Sequence, residues 1–250
     1  MIEAKGLTKT FSDKKRGVVV AAQELNFRCE PGQIFGILGP NGAGKTTTLR
    51  MLSTVLKPTK GTALVNGFDV VTQANTVRHQ IGFLSCDTGL YPRLTAREMI
   101  RYFGRLYGMN KTTLDHRTAE IAHMLEMENF LDVRNDKLST GMKQKVSIAR
   151  AIIYDPPVMI FDEPASGLDI IAARMIYDFV LTCRNQRKTV VFSTHVLSEA
   201  EKLCDIIAII NKGKILDIGT LAELKARTSR DNLEDVFIHL IREKDETKNN

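Results

Sequence analysis

The run Ile34-Phe-Gly-Ile-Leu38, followed directly by Gly39-Pro40-Asn41-Gly42-Ala43-Gly44-Lys45-Thr46-Thr47, constrains the fold more than any other stretch. An unbroken apolar run of this length reads as a strand buried on both faces, as in a parallel sheet. It leads into the pattern G-x-x-x-x-G-K-[ST], and a helix is expected from about residue 44 to 52, ending before Lys57-Pro58. Strand, glycine loop and helix N-terminus in that order let backbone N–H groups converge on phosphate oxygens, helped by the positive end of the helix dipole. Lys45 then supplies a cation for the β- and γ-phosphates and Thr46 a hydroxyl for Mg²⁺, so residues 39–47 are the expected nucleotide contacts.

The rest of the chain has the alternation of strand and helix that marks a largely parallel sheet. Residues 2–11, a polar turn at 12–17 and the apolar run 18–22 read as an antiparallel start, and Pro31-Gly32 turns the chain into the glycine-loop strand. Further strands are expected at 62–65, after which Asn66-Gly67 makes a turn, and at 81–84. Between about 94 and 154 strand patterns vanish. Helical periodicity takes over at 96–107, 113–125 and 140–153, the last with Val146, Ile148, Ala149 and Ile152 apolar. Strands resume at 158–161, 189–192 and 206–210. Residues 1–241 are therefore expected to form one α/β domain with an antiparallel β subdomain and an inserted helical subdomain. Residues 242–250 have nothing apolar to bury and are expected to be a flexible polar tail.

No apolar run approaches the roughly 20 residues of a membrane-spanning helix, and the first residues lack the apolar stretch of a signal peptide. A cytoplasmic protein is expected, meeting a membrane only through a partner. Cys29, Cys86, Cys183 and Cys204 are scattered, with no C-x-x-C pair, and read as reduced thiols rather than zinc ligands. The formal net charge of +6 comes from basic residues interleaved with acidic ones. That pattern favours a solvated surface over an anionic partner surface, and no nucleic acid partner is expected.

A second apolar strand, at 158–161, ends in Asp162-Glu163. A carboxylate at the exposed end of a buried strand suits Mg²⁺, held directly or through water, and that role falls to Asp162. Glu163, one residue on, points elsewhere and can take a proton from an attacking water.

Ser139-Thr140-Gly141-Met142 opens the helix expected at 140–153, and taken alone Ser139 reads equally well as its N-cap. Together with the glycine loop, Asp162-Glu163, Ser166-Gly167-Leu168-Asp169 and His195, it resembles the nucleotide-binding cassette of ABC transporters, over essentially the whole chain. The resemblance implies an ATP-hydrolysing subunit with ATP and Mg²⁺ as ligands. It also implies two kinds of partner: a second copy of the chain in an ATP sandwich dimer, and a separate multi-span permease at the membrane, reached through the helical insert. Lys45, Glu163 and His195 become the catalytic set, His195 by contacting the γ-phosphate and orienting the water. Thr46 and Asp162 become the metal ligands. Phe11 takes the place of an aromatic that stacks on adenine, with a core phenylalanine as the alternative. Ser139 and Gly141 would close over ATP held by the second copy, and Asp169 would lie in the loop coupling the two copies.

Thr140 and Met142 depart from the family's commonest residues there, glycine and glutamine. This variant, with the segment 232–237, resembles the branch serving sodium-exporting and related drug- or polymer-exporting systems. The larger departure is Cys86, where the family usually has a glutamine near Mg²⁺ and water. A thiol is a poor ligand for a hard cation, so Asp87 substitutes, or water fills the gap, or the metal contact is weaker. A soluble cassette acting on DNA or the ribosome fits less well, because Lys45 and Ser139 are close in the chain and the motifs occur once.

Overall fold

The computed structural model describes residues 1–13, 17–85 and 89–246. The chain divides into two compact units, one of residues 1–81, 157–163 and 177–250, the other of residues 82–156 and 164–176.

In the first unit, β1 (Ile2–Asp13) pairs antiparallel with β2 (Gly17–Cys29) on one side and β4 (Lys60–Val65) on the other. A turn at Asn66 and Gly67, both with positive φ, returns the chain as the short β5 (Phe68–Asp69), giving the order β2-β1-β4-β5. Ile2, Ala4, Ala63 and Val65 bury one face of this sheet, as period-2 alternation requires.

The second sheet holds β3 (Ile34–Leu38), β7 (Val158–Asp162), β8 (Thr189–Thr194), β9 (Ile206–Asn211) and β10 (Lys214–Gly219), in the order β10-β9-β3-β8-β7. Every residue of β3, β7 and β8 is buried, which fits parallel strands covered on both faces. The antiparallel β10 has no counterpart among the expected strands. It returns from β9 through Lys212 and Gly213, both left-handed, a turn that the Asn-Lys-Gly sequence could have signalled.

Helices α1 (Lys45–Leu52), α2 (Ala74–Gln80), α7 (Leu197–Leu203), α8 (Leu221–Thr228) and α9 (Leu233–Glu246) complete this unit. Leu38, Ile207 and Ile209 of the sheet pack with Ala200, Leu224, Leu233 and Val236 of the last three helices. Helix α9 takes in residues 242–246, which the sequence places in a flexible tail. Once nucleated, a helix gains a hydrogen bond for each residue added, and Arg, Glu and Lys are good helix formers even with nothing to bury. Residues 247–250 lie outside the described residues.

Strand β6 (Ile81–Ser85) leads into the second unit, which holds α3 (Ala96–Leu106), α4 (Lys111–Met124) and α5 (Thr140–Ile152). Each helix starts at a side-chain cap: Thr95 with Glu98 in a capping box, Asn110, and Ser139. These are the helices expected at 96–107, 113–125 and 140–153. The unit also takes in residues 82–93 and 164–176, beyond the stretch 94–154 read as an insert. Gln144 Nε2 of α5 donates to the Pro164 carbonyl at 3.3 Å, tying the later segment to the helices. Helix α6 (Ile170–Asn185) then carries the chain back to β8.

Candidate nucleotide site

The register of the parallel sheet aligns the carboxyl ends of its central strands, pairing Leu38 with Thr194 and Asp162 with Ser193. The glycine loop after β3, the carboxylates ending β7 and His195 after β8 therefore leave the sheet at one edge, where open α/β sheets hold their ligands. Gly39 N–H donates to the Thr194 carbonyl at 3.3 Å, fastening the loop to the neighbouring strand. Gly44, the N-cap of α1, has φ +106°, and a Cβ there would lie 2.3 Å from the Ala21 carbonyl oxygen, so only glycine fits. Pro40, Asn41, Gly42 and Ala43 form the turn between, closed by Ala43 N–H on the Pro40 carbonyl at 3.1 Å. Thr47 follows Thr46 in the first turn of α1.

Lys45 is only 4% exposed. Its ammonium donates to the Gly39 carbonyl at 2.7 Å and the Pro40 carbonyl at 3.0 Å, and lies 2.9 Å from Glu163 Oε1. Those three partners engage all three of its protons. The other carboxylate oxygen of Glu163 lies 3.0 Å from His195 Nδ1. Glu163 itself has φ +46°, a left-handed conformation that costs about 1–3 kcal/mol in a residue other than glycine. Its N–H donates to the Ser193 carbonyl at 3.2 Å and to the Ser193 hydroxyl at 3.1 Å, which hold that strained geometry in place.

Asp162 Oδ1 accepts from the Thr46 hydroxyl at 3.1 Å and from the Ser193 hydroxyl at 2.8 Å. Burial pushes the Asp162 carboxyl above the usual carboxylate range, against the pull of those two hydrogen bonds. A buried carboxylate beside a threonine hydroxyl is an all-oxygen donor set, which suits a hard divalent cation. Among the described residues no cluster of three or more acidic, His or Cys side chains could hold a metal, so a cation at Thr46 and Asp162 would take its remaining ligands from water and phosphate. Ser193, whose hydroxyl links the Asp162 carboxylate to the Glu163 backbone N–H, is absent from the residues that sequence reasoning selects. Its only signal is its place at the end of a buried strand, just before Thr194-His195.

Phe11 is 40% exposed on β1, with Lys9 Nζ 5.2 Å from its ring centroid, so the ring is at the surface and not in the core. In the second unit Ser139 caps α5, its Oγ accepting from Met142 N–H at 3.3 Å. A hydroxyl that accepts this way keeps its own proton free to donate. A Cβ at Gly141 would meet nothing within 4 Å, so the backbone there lies open. Thr140, Lys143, Gln144 and Leu168 line a neighbouring cavity of about 570 Å³. Asp169 Oδ1 accepts from Ala172 N–H at 2.9 Å, at the start of α6. Cys86 and Asp87 lie outside the described residues.

The family model of the ABC transporter matches residues 22–166. The ABC transporter ATP-binding protein NatA of Bacillus subtilis is 40% identical over 239 residues, covering 95% of this chain and 97% of that protein. A probable multidrug ABC transporter ATP-binding protein of Escherichia coli, YbhF, is 33% identical across 100% of this chain, which spans 43% of that longer protein. The Nod factor export ATP-binding protein I of Rhizobium etli is 36% identical over 87% of this chain and 67% of its own length. Among solved structures, an ATP-binding subunit of an ABC transporter superposes with a TM-score of 0.85 at 27% identity, covering 96% of this chain and 99% of the other. A dimeric ATP-binding cassette in a post-hydrolysis state, bound to ADP and Pi, gives 0.79 at 27% identity over 88% of this chain and 99% of its own. With a family model over more than half of its length and a relative matched almost end to end, the chain belongs to the ABC transporter family, as an ATP-binding subunit with ATPase activity.

Proposed function

We propose that this ATPase drives export of a substrate through a separate transmembrane permease, and that its reaction centre is the Lys45–Glu163–His195 constellation. The observation that carries this reading is Glu163, whose two carboxylate oxygens reach Lys45 and His195 from one strained backbone position. The γ-phosphate of ATP competes with Glu163 for the Lys45 ammonium, which frees Oε1 to receive a proton. Water then attacks the γ-phosphorus, the bond to the β–γ bridging oxygen breaks, and Glu163 takes the water's proton. His195 holds the other carboxylate oxygen and so fixes the direction of the base. Mg²⁺, when held by Thr46 and Asp162, supplies charge neutralisation at the phosphates. Phe11 offers its exposed face to the adenine.

Two copies of the chain share each ATP in this reading. Ser139 and the open backbone at Gly141 bind the γ-phosphate of nucleotide held by the other copy, at the N-terminus of α5. A dimeric cassette among the similar solved structures supports the arrangement. The permease would dock on the helical unit, where Tyr91 and Tyr102 pair edge to face at 5.8 Å and stay exposed together with Leu106. No helix among the described residues is long and apolar enough to cross a membrane, so the chain would be held at the cytoplasmic face by that partner. Sodium is the cargo suggested by Thr140-Gly141-Met142, while the similar proteins named for multidrug transport and Nod factor export keep larger cargoes in play.

The test is sizing chromatography of Glu163→Gln protein with ATP and Mg²⁺. The amide keeps the shape and loses the base, so an ATP-dependent dimer that does not turn over is expected. A variant that stays monomeric at saturating ATP counts against the shared site. For cargo, ATP hydrolysis by the chain assembled with its permease should rise with Na⁺ and not with K⁺.

A further inference from the structure

His195 stands at the end of β8 on a turn whose geometry is held by groups that the reaction itself does not use. The Thr194 hydroxyl accepts from Val196 N–H at 2.9 Å, closing a small turn across His195. The same hydroxyl donates to Glu199 Oε2, and the Tyr177 phenol donates to Glu199 Oε1 at 2.7 Å. Thr194 is buried, and its carbonyl accepts from Gly39 N–H of the phosphate loop. One carboxylate on α7 thus ties α6, the end of β8 and, through Thr194, the glycine loop.

From this network we infer that Glu199 is a positioning residue for His195, acting through the Thr194 hydroxyl and braced by Tyr177. A carboxylate can only accept, so it fixes the direction of the Thr194 O–H and leaves a lone pair for Val196 N–H. Without it the hydroxyl is free to rotate, and the turn carrying His195 loses its closing bond. Burial, with the Glu199 carboxylate alongside, pushes the Tyr177 phenol well above its usual range, so that side chain stays protonated and remains a donor. Glu199 touches neither the phosphate loop's lysine nor the metal oxygens, so its effect should fall on turnover rather than on ATP binding. The inference rests on His195 acting in hydrolysis, as proposed above.

The experiment is steady-state ATP hydrolysis by the purified full chain at saturating Mg²⁺. It compares Glu199→Ala, Glu199→Gln and Tyr177→Phe, each alone and with His195→Ala. Glu199→Ala should lower kcat about 10- to 100-fold, the scale of loss expected when a reacting group shifts by an ångström. KM for ATP should stay within about twofold, since binding groups are untouched. Glu199→Gln should restore most of the rate, because its oxygen can accept from Thr194 while its amide N–H donates to the Tyr177 oxygen. Tyr177→Phe should show a smaller loss of the same kind, and it carries the test alone if Glu199→Ala does not fold. With His195→Ala present, none of these changes should lower the residual rate further. Multiplicative losses in that background, or an equal rise in KM, overturn the role given to Glu199. A His195→Ala protein with wild-type kcat overturns the role of His195 itself, whatever Glu199→Ala does.

Discussion

Lys45 Nζ lies 2.9 Å from Glu163 Oε1, so the cation that should meet ATP phosphates and the base that should activate water are paired with each other. Lys45 is buried and Glu163 is mostly so, and under the proposed function the phosphates of ATP compete with Glu163 for the lysine.

Two variants separate the partners of that pair. Glu163→Gln should lower kcat by about 100-fold or more, the usual worth of a general base. It should also tighten ATP binding, because the phosphates no longer compete with a carboxylate. Lys45→Ala should instead lose ATP affinity itself. Equilibrium titration with ATP and Mg²⁺, beside initial-rate assays, checks both. Weaker ATP binding by Glu163→Gln would mean that the ion pair supports the site rather than blocks it.

Asp162 is a carboxyl whose folded pKa is raised by burial above the ordinary 3.8. The folded state then binds the proton more tightly than the unfolded state, so stability falls as pH rises from 3.8 through the raised folded value. Asp162→Asn keeps an oxygen for Thr46 and Ser193 and removes the buried charge. It should therefore melt higher than wild type near neutral pH in the presence of EDTA, with Tm rising about 2–4 °C per kcal/mol of relief at this chain length. The difference between the two melting curves should shrink at acid pH. Mg²⁺-dependent hydrolysis should be lost in the same variant. An Asp162→Asn protein that melts lower than wild type in EDTA would show that the carboxylate is stabilised where it stands.

Phe11 is exposed, so Phe11→Ala should leave the melting temperature nearly unchanged. Base–aromatic stacking is worth about 1–3 kcal/mol, so ATP binding should weaken by roughly 5- to 100-fold with kcat kept. Phe11→Tyr should bind as wild type does. Unchanged ATP affinity in Phe11→Ala would remove the ring from the site.

The trans role of Ser139 is open to complementation. Mixing Lys45→Ala with Ser139→Arg subunits gives heterodimers with one doubly damaged site and one intact site. Hydrolysis well above that of either variant alone is the expected result under conditions of subunit exchange. Mixtures as inactive as their parents would place Ser139 outside the shared site.

Much of the fold and of the site is legible in the sequence, and for a local reason. Strand, glycine loop and helix are neighbours in the chain, so residues 34–52 specify their own conformation, and the glycines needed for it are visible as glycines. The helices at 96–106, 111–124 and 140–152 announce themselves by periodicity and by capping residues at Thr95, Asn110 and Ser139. Strand β10 and the full length of helix α9 do not. In β10 only Gly219 is fully buried, and the last turn of α9, residues 242–246, is charged throughout, so apolar pattern says little about either.

What the sequence determined by itself was the chemistry available: a phosphate loop, a pair of carboxylates at a strand end, a histidine after another strand. Which of those groups touch was decided only by the tertiary structure. Lys45, Glu163, Ser193 and His195 come from three separate strand ends, and it is the parallel register of β3, β8 and β7 that brings them within hydrogen-bonding distance. Ser193 as the bridge, the left-handed backbone of Glu163 and the tie from Glu199 to Thr194 all depend on that long-range pairing. No periodicity or local propensity encodes them, because hydrogen bonds between distant segments exist only once the sheet has closed.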